Sequence, residues 1–106
     1  MITFSINRCD NRYLCSVRGH SGAAPKGEDV VCAAVSALAY LIETAATSLD
    51  EDGALEAYYH SVTPGDAEFD FTVKERGAER AEFLADSVER LALEMEASYP
   101  GCISVT

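Results

Sequence analysis

A chain of 106 residues with 48% hydrophobic content is too apolar to stay disordered and has the usual size of one domain, so a single domain over 1–106 is expected. Its 18 acidic and 8 basic residues leave a net charge of -10, which repels phosphate backbones and argues against direct nucleic-acid binding. The partner that such a field attracts is a basic protein or peptide.

Ile2, Phe4 and Ile6 alternate with Thr3, Ser5 and Asn7, the two-residue period of a strand with one buried face. Cys9-Asp10-Asn11-Arg12 supplies turn chemistry, and a second strand runs from Tyr13 to Arg18 and ends at Gly19, giving a hairpin. The segment Ser21 to Gly27 holds two glycines and a proline and fits neither periodicity; an exposed, mobile loop is expected. Asp29 then caps a helix whose apolar stripe is Val31, Val35, Leu38, Ile42 and Ala46, at steps of three and four. Glu43 is the only charge between Val30 and Ser48, which predicts a helix covered on more than one side. The uncharged run from Val30 to Ile42 is well short of the roughly 20 residues of a membrane span, so it reads as a core helix and no membrane partner is expected.

Asp50-Glu51-Asp52-Gly53 closes the helix. Strands follow at Ala54 to Val62 and Glu68 to Val73, joined by the turn Thr63-Pro64-Gly65-Asp66. The last long element, Glu79 to Ser98, sets Ala81, Leu84, Val88, Leu91 and Met95 on one face and stops near Pro100-Gly101, after which Cys102 to Val105 adds a short terminal strand. The order β-β-α-β-β-α predicts an α+β fold with a mainly antiparallel sheet carrying helices.

The start of the chain has neither the charged nor the apolar region of a signal peptide, so a reducing cytoplasm is expected and Cys9, Cys15, Cys32 and Cys102 should be thiols. No Cys-x-x-Cys pair occurs and only His20 and His60 could add ligands, so neither a metal site nor a cofactor is expected.

If Asp29 is the cap, Cys32 occupies the third helical position, where unpaired N–H groups and the helix dipole favour a thiolate. The competing reading is a small buried apolar residue; Cys32, Ser36 and Ala39 form a stripe beside the main apolar one, at the edge of the core. His20 follows Gly19 at a strand end and precedes the loop, where it could take the thiol proton and pass it to a leaving amine. His60, mid-strand beside Tyr58 and Tyr59, reads as structural. Asp29 either only caps the helix or also orients His20. Ser36 either positions the site or bonds back to its own helix.

The stretch Gly19-His20-Ser21-Gly22, followed by Gly27-Glu28-Asp29-Val30-Val31-Cys32-Ala33-Ala34-Val35-Ser36, resembles the signature of the ribosomal-processing cysteine protease family. The resemblance implies a homodimer of β-β-α-β-β-α subunits that removes the N-terminal extension of ribosomal large-subunit protein number twenty-seven, a basic partner. It implies Cys32 as nucleophile and His20 as base, with Asp29 and Ser36 as supporting positions and Ser21, Gly22 and Gly27 in a substrate loop. Ser21 departs from the family's usual alanine, and Pro25 stiffens the loop, so specificity rather than the dyad would differ. An oxyanion held by first-turn backbone N–H groups completes the expected mechanism. The rival function is a non-catalytic ribosome-assembly protein that docks a basic partner on its acidic surface.

Overall fold

A computed structural model of the chain describes residues 1–20 and 29–106. Strands β1 (Ile2–Cys9) and β2 (Arg12–Gly19) form the expected hairpin, with Cys9 opposite Arg12 and Ile2 opposite Gly19. Asp10 makes the turn with φ 54, a left-handed conformation that short polar side chains tolerate. Helix α1 (Val30–Glu51) leads to β3 (Leu55–Thr63) and β4 (Asp66–Val73), then a single 3-10 turn at Glu75–Gly77, helix α2 (Ala78–Ser98) and β5 (Ile103–Val105). The α+β order is the one expected, with β5 as the short terminal strand. The sheet runs β3-β4-β2-β1-β5. Its pairings are antiparallel except β5, which lies parallel to β1.

Alternation decides which face of the sheet is covered. Ile2, Phe4, Ile6, Tyr13, Cys15, Val17, Phe69, Phe71 and Val73 are all buried, and they share one cluster with residues of both helices. Both helices therefore cover the same face. Phe4, Phe69 and Phe71 are its largest fully buried side chains.

The two helices depart from expectation in their faces. In α1 the buried residues are Val31, Val35, Leu38, Ala39, Ile42, Ala46 and Leu49, whereas Val30, Tyr40 and Leu41 are exposed. It is thus covered on one side, not several. Helix α1 has 22 residues, and an 18-residue window of it reaches a mean hydropathy of 1.7, long and apolar enough by length and composition to cross a membrane, because beyond Ile42 only Glu43 interrupts the small and apolar residues before Asp50. Its buried stripe packs on the sheet as a core helix. In α2 the stripe turned inward is Ala81, Ala85, Val88, Ala92 and Met95, and Leu91 is exposed. Three alanines let the helix backbone lie close to its neighbours, with the leucines displaced to the flanks.

Charge fastens α2 to the hairpin. Arg8 Nη1 donates to Glu82 at 2.8 Å and to Asp86 at 2.9 Å, and the Tyr13 hydroxyl donates to Glu82 at 2.8 Å. Asn11 closes the other end of the hairpin onto β4, donating from Nδ2 to the Val73 carbonyl at 3.1 Å and accepting from the Val73 N–H at 2.9 Å.

Phe69→Ala removes a fully buried ring from the centre of this layer. It should cost about 3–5 kcal/mol of stability, read as a lower urea midpoint with an unchanged m-value.

Candidate active site

The geometry of the site begins with a glycine. Gly19 has φ +96, and a Cβ on it would lie 2.5 Å from the Met1 carbonyl oxygen. That contact is with backbone, which cannot move aside, so no side chain fits while β1 and β2 keep their register. The chain then leaves the sheet at His20, which is exposed. The Gly19 N–H donates to the Gly65 carbonyl at 2.9 Å, tying the end of β2 to the turn between β3 and β4. A Cβ placed on Gly65 would lie 3.0 Å from His20 Nε2 and 3.2 Å from Cε1; the imidazole sits over that glycine.

Helix α1 starts across the gap. Asp29 is its N-cap, and its Oδ1 accepts from the backbone N–H groups of Val31 and Cys32, each at 3.0 Å. The Asp29 carbonyl accepts from Ala33 N–H at 3.1 Å. The capping reading of Asp29 therefore holds, at about 1 kcal/mol. The N–H groups of residues 31, 32 and 33 are thereby engaged with Asp29 in this structure. Cys32 is half-buried and packs against the core cluster, at the core's edge as its helical position implies. Ser36, one turn on, is exposed.

A cavity of about 910 Å³ lies between these elements, and Cys32, His20, Asp29 and Ser36 all line it. Its other walls are Val17 of β2, Val35 and Tyr40 of α1, and the turn from Val62 to Ala67. Ser21, Gly22 and Gly27, the expected substrate loop, lie outside the described residues. The other three cysteines do not line the cavity. His60 stacks on Tyr58 at 4.7 Å and pairs with Glu43 at 3.5 Å, which fits its structural reading. Among the described residues no group of three His, Cys, Asp or Glu side chains is placed to hold a metal ion.

Sequence reading missed the β3–β4 turn as part of the site. Pro64-Gly65 announces a turn, but no local signal says which strand end it will meet. That follows from the pairing of β2 with β4, which sets Arg18 opposite Asp66.

The sequence model of the family described as cysteine protease Prp matches residues 1–104. The chain belongs to the cysteine protease Prp family. It is accordingly a cysteine protease. Solved structures share its fold. The essential ribosomal processing protease Prp from S. aureus, bound to a covalently linked product peptide, superimposes with a TM-score of 0.72 at 18% identity, over 100% of this chain and 98% of that one. The same S. aureus protease with a substrate peptide gives 0.67 at 17%, over 100% and 98%. A Streptococcus mutans protein gives 0.65 at 18%, over 100% and 92%. No curated protein matches the chain.

The buried thiol of Cys15 gives a test of how the cysteines are divided. Burial pushes it from an ordinary 9.0 up to about 12, and burial with the Glu82 contact pushes Tyr13 from 10.0 to about 12. Both groups are raised acids, so the fold holds their protons more tightly than the unfolded chain does. Their contribution to stability is complete below pH 9.0 and drains away as pH rises toward about 12. The urea midpoint should fall across that window, and Cys15→Ala should flatten part of the fall. Near neutral pH, mass spectrometry after brief iodoacetamide treatment should find Cys15 unlabelled in the native protein and labelled once urea is added.

Proposed function

We propose that this chain is a single-domain endopeptidase that removes the N-terminal extension of ribosomal large-subunit protein number twenty-seven, with Cys32 as nucleophile and His20 as base. The observation that carries this reading is that one cavity is lined by both residues, with Cys32 the cysteine among the described residues that reaches it. Membership of the cysteine protease Prp family supports it. So does the S. aureus relative, a ribosomal processing protease found with a covalently linked product peptide.

In this mechanism Cys32 Sγ forms a bond to the scissile carbonyl carbon while His20 takes the thiol proton. The tetrahedral intermediate collapses, the C–N bond breaks, and His20 protonates the departing amine. Water then attacks the thioester with His20 again as base, and Cys32 leaves as the product acid forms. Asp29 holds the helix start that presents Cys32, and Ser36 borders the same cavity. The enzyme works in the cytoplasm as a homodimer and without nucleic acid. Its -10 charge draws the basic precursor toward it.

Cys32→Ala and His20→Ala decide the assignment. Each should lower cleavage of the precursor roughly 10³-fold or more while the melting temperature stays within a few degrees of wild type, since neither side chain is fully buried. Wild-type cleavage by Cys32→Ala would remove the nucleophile and favour a docking protein instead. A separate measurement addresses the charge. Binding of the precursor by the inactive Cys32→Ala protein should weaken steadily as salt rises past physiological strength, where the Debye length is about 8 Å. Affinity indifferent to salt would mean that apolar contacts supply the attraction.

A further inference from the structure

The site contains a glycine whose role goes beyond turning the chain. His20 is the first residue past β2 and is exposed, so the sheet does not clamp its side chain. A base in that situation still needs a fixed place, because a misplacement of about 1 Å can cost a reaction about 100-fold. We propose that Gly65 is the positioning residue for His20, its bare Cα forming the seat on which the imidazole rests. The proposal depends on His20 being the base.

Three features of the β3–β4 turn support the seat. The ring edge, Nε2 and Cε1, occupies the space beside Gly65, where a Cβ would come within 3.0 and 3.2 Å, whereas Cδ2 would be 3.9 Å away. The turn is bonded to the residue immediately before the base, through Gly19 N–H to the Gly65 carbonyl at 2.9 Å, so seat and base share one frame of reference. Beside it, Arg18 Nε meets Asp66 Oδ1 at 3.3 Å, across the register that pairs these residues. The seat and the root of the imidazole therefore move together.

The chain supplies its own comparisons. A Cβ on Gly65 presses on ring atoms of an exposed side chain rather than on backbone, so the ring yields and the fold survives. A Cβ on Gly19 presses on the Met1 carbonyl, and the fold suffers instead. Gly53 has φ +70, close to the +77 of Gly65, with nothing within 4 Å of a Cβ. Gly53→Ala thus carries the backbone strain of Gly65→Ala without touching the base.

The experiment compares Gly65→Ala, Gly53→Ala and His20→Ala for precursor cleavage, thermal stability and the His20 Cε1–H resonance. Gly65→Ala should lower kcat roughly 10- to 100-fold and shift that resonance, with KM changed by no more than about twofold, the signature of lost positioning rather than lost binding. Gly53→Ala should lose similar thermal stability yet keep wild-type kcat and resonance. If Gly65→Ala does not fold, Gly65→Asn, which tolerates the left-handed backbone but still adds a Cβ, takes its place with the same expectation. Wild-type kcat in Gly65→Ala beside an inactive His20→Ala would overturn the seat and leave the base intact. An equal kcat loss in Gly53→Ala would overturn it too, since strain alone would then suffice. Wild-type cleavage by His20→Ala would instead remove the base, and the seat's catalytic meaning with it.

Discussion

The pairing of β2 with β4, from Arg18 opposite Asp66 to Arg12 opposite Thr72, joins two hairpins into one sheet. Neither hairpin would be more than marginally stable alone. Joined, they align Tyr13, Cys15 and Val17 with Phe71, Phe69 and Ala67, a continuous apolar surface for α1 and α2 to cover. Tyr13 and Phe71 stack at 5.3 Å across this seam. Because the pairing is antiparallel, the last residues of β2 meet the first of β4, and the imidazole and the β3–β4 turn become neighbours as a result. The cavity is a product of strand direction.

Helix α1 serves core and site at once, on adjoining stripes. Val31, Val35 and Leu38 point into the sheet, while Cys32 and Ser36 border the cavity. A rotation of 100° separates successive residues, so any rotation that improved the packing of Val35 would also turn the thiol. Asp29 fixes the helix start by taking the N–H of Cys32 itself. Core packing and the capping carboxylate thus hold the thiol's backbone from two directions, while its half-burial leaves a route for a peptide.

Elements with strong local chemistry were legible in the sequence. Strict alternation marked β1, turn residues and Gly19 bounded β2, Asp29 marked the start of α1, and Gly19-His20 with Cys32 pointed to the residues that meet in the cavity. The faces of the helices were harder. Hydrophobicity alone favoured Leu91 over Ala92 as a core residue of α2, but close packing selects small side chains where a helix must lie near its neighbours. The same preference for apolar content suggested that α1 is covered on several sides, although composition does not say how many neighbours a helix has. The site's third wall could not be read at all. Thr63 to Asp66 carried only the mark of a turn, and its place beside His20 rests on a contact between residues far apart in sequence.

That distance along the chain shapes when the enzyme can exist. The proposed nucleophile and base both lie in the segment that β2–β4 pairing encloses, together with all of α1 and β3. Closing so long a loop demands entropy before any contact repays it. A nascent chain that has released its first hairpin and α1 already carries both reactive side chains, yet it has no strand for β2 to pair with and nothing beneath the imidazole. Catalytic competence therefore cannot precede β4 in synthesis, and a truncated chain ending inside β3 would leave the ribosome bearing a thiol and an imidazole but no protease.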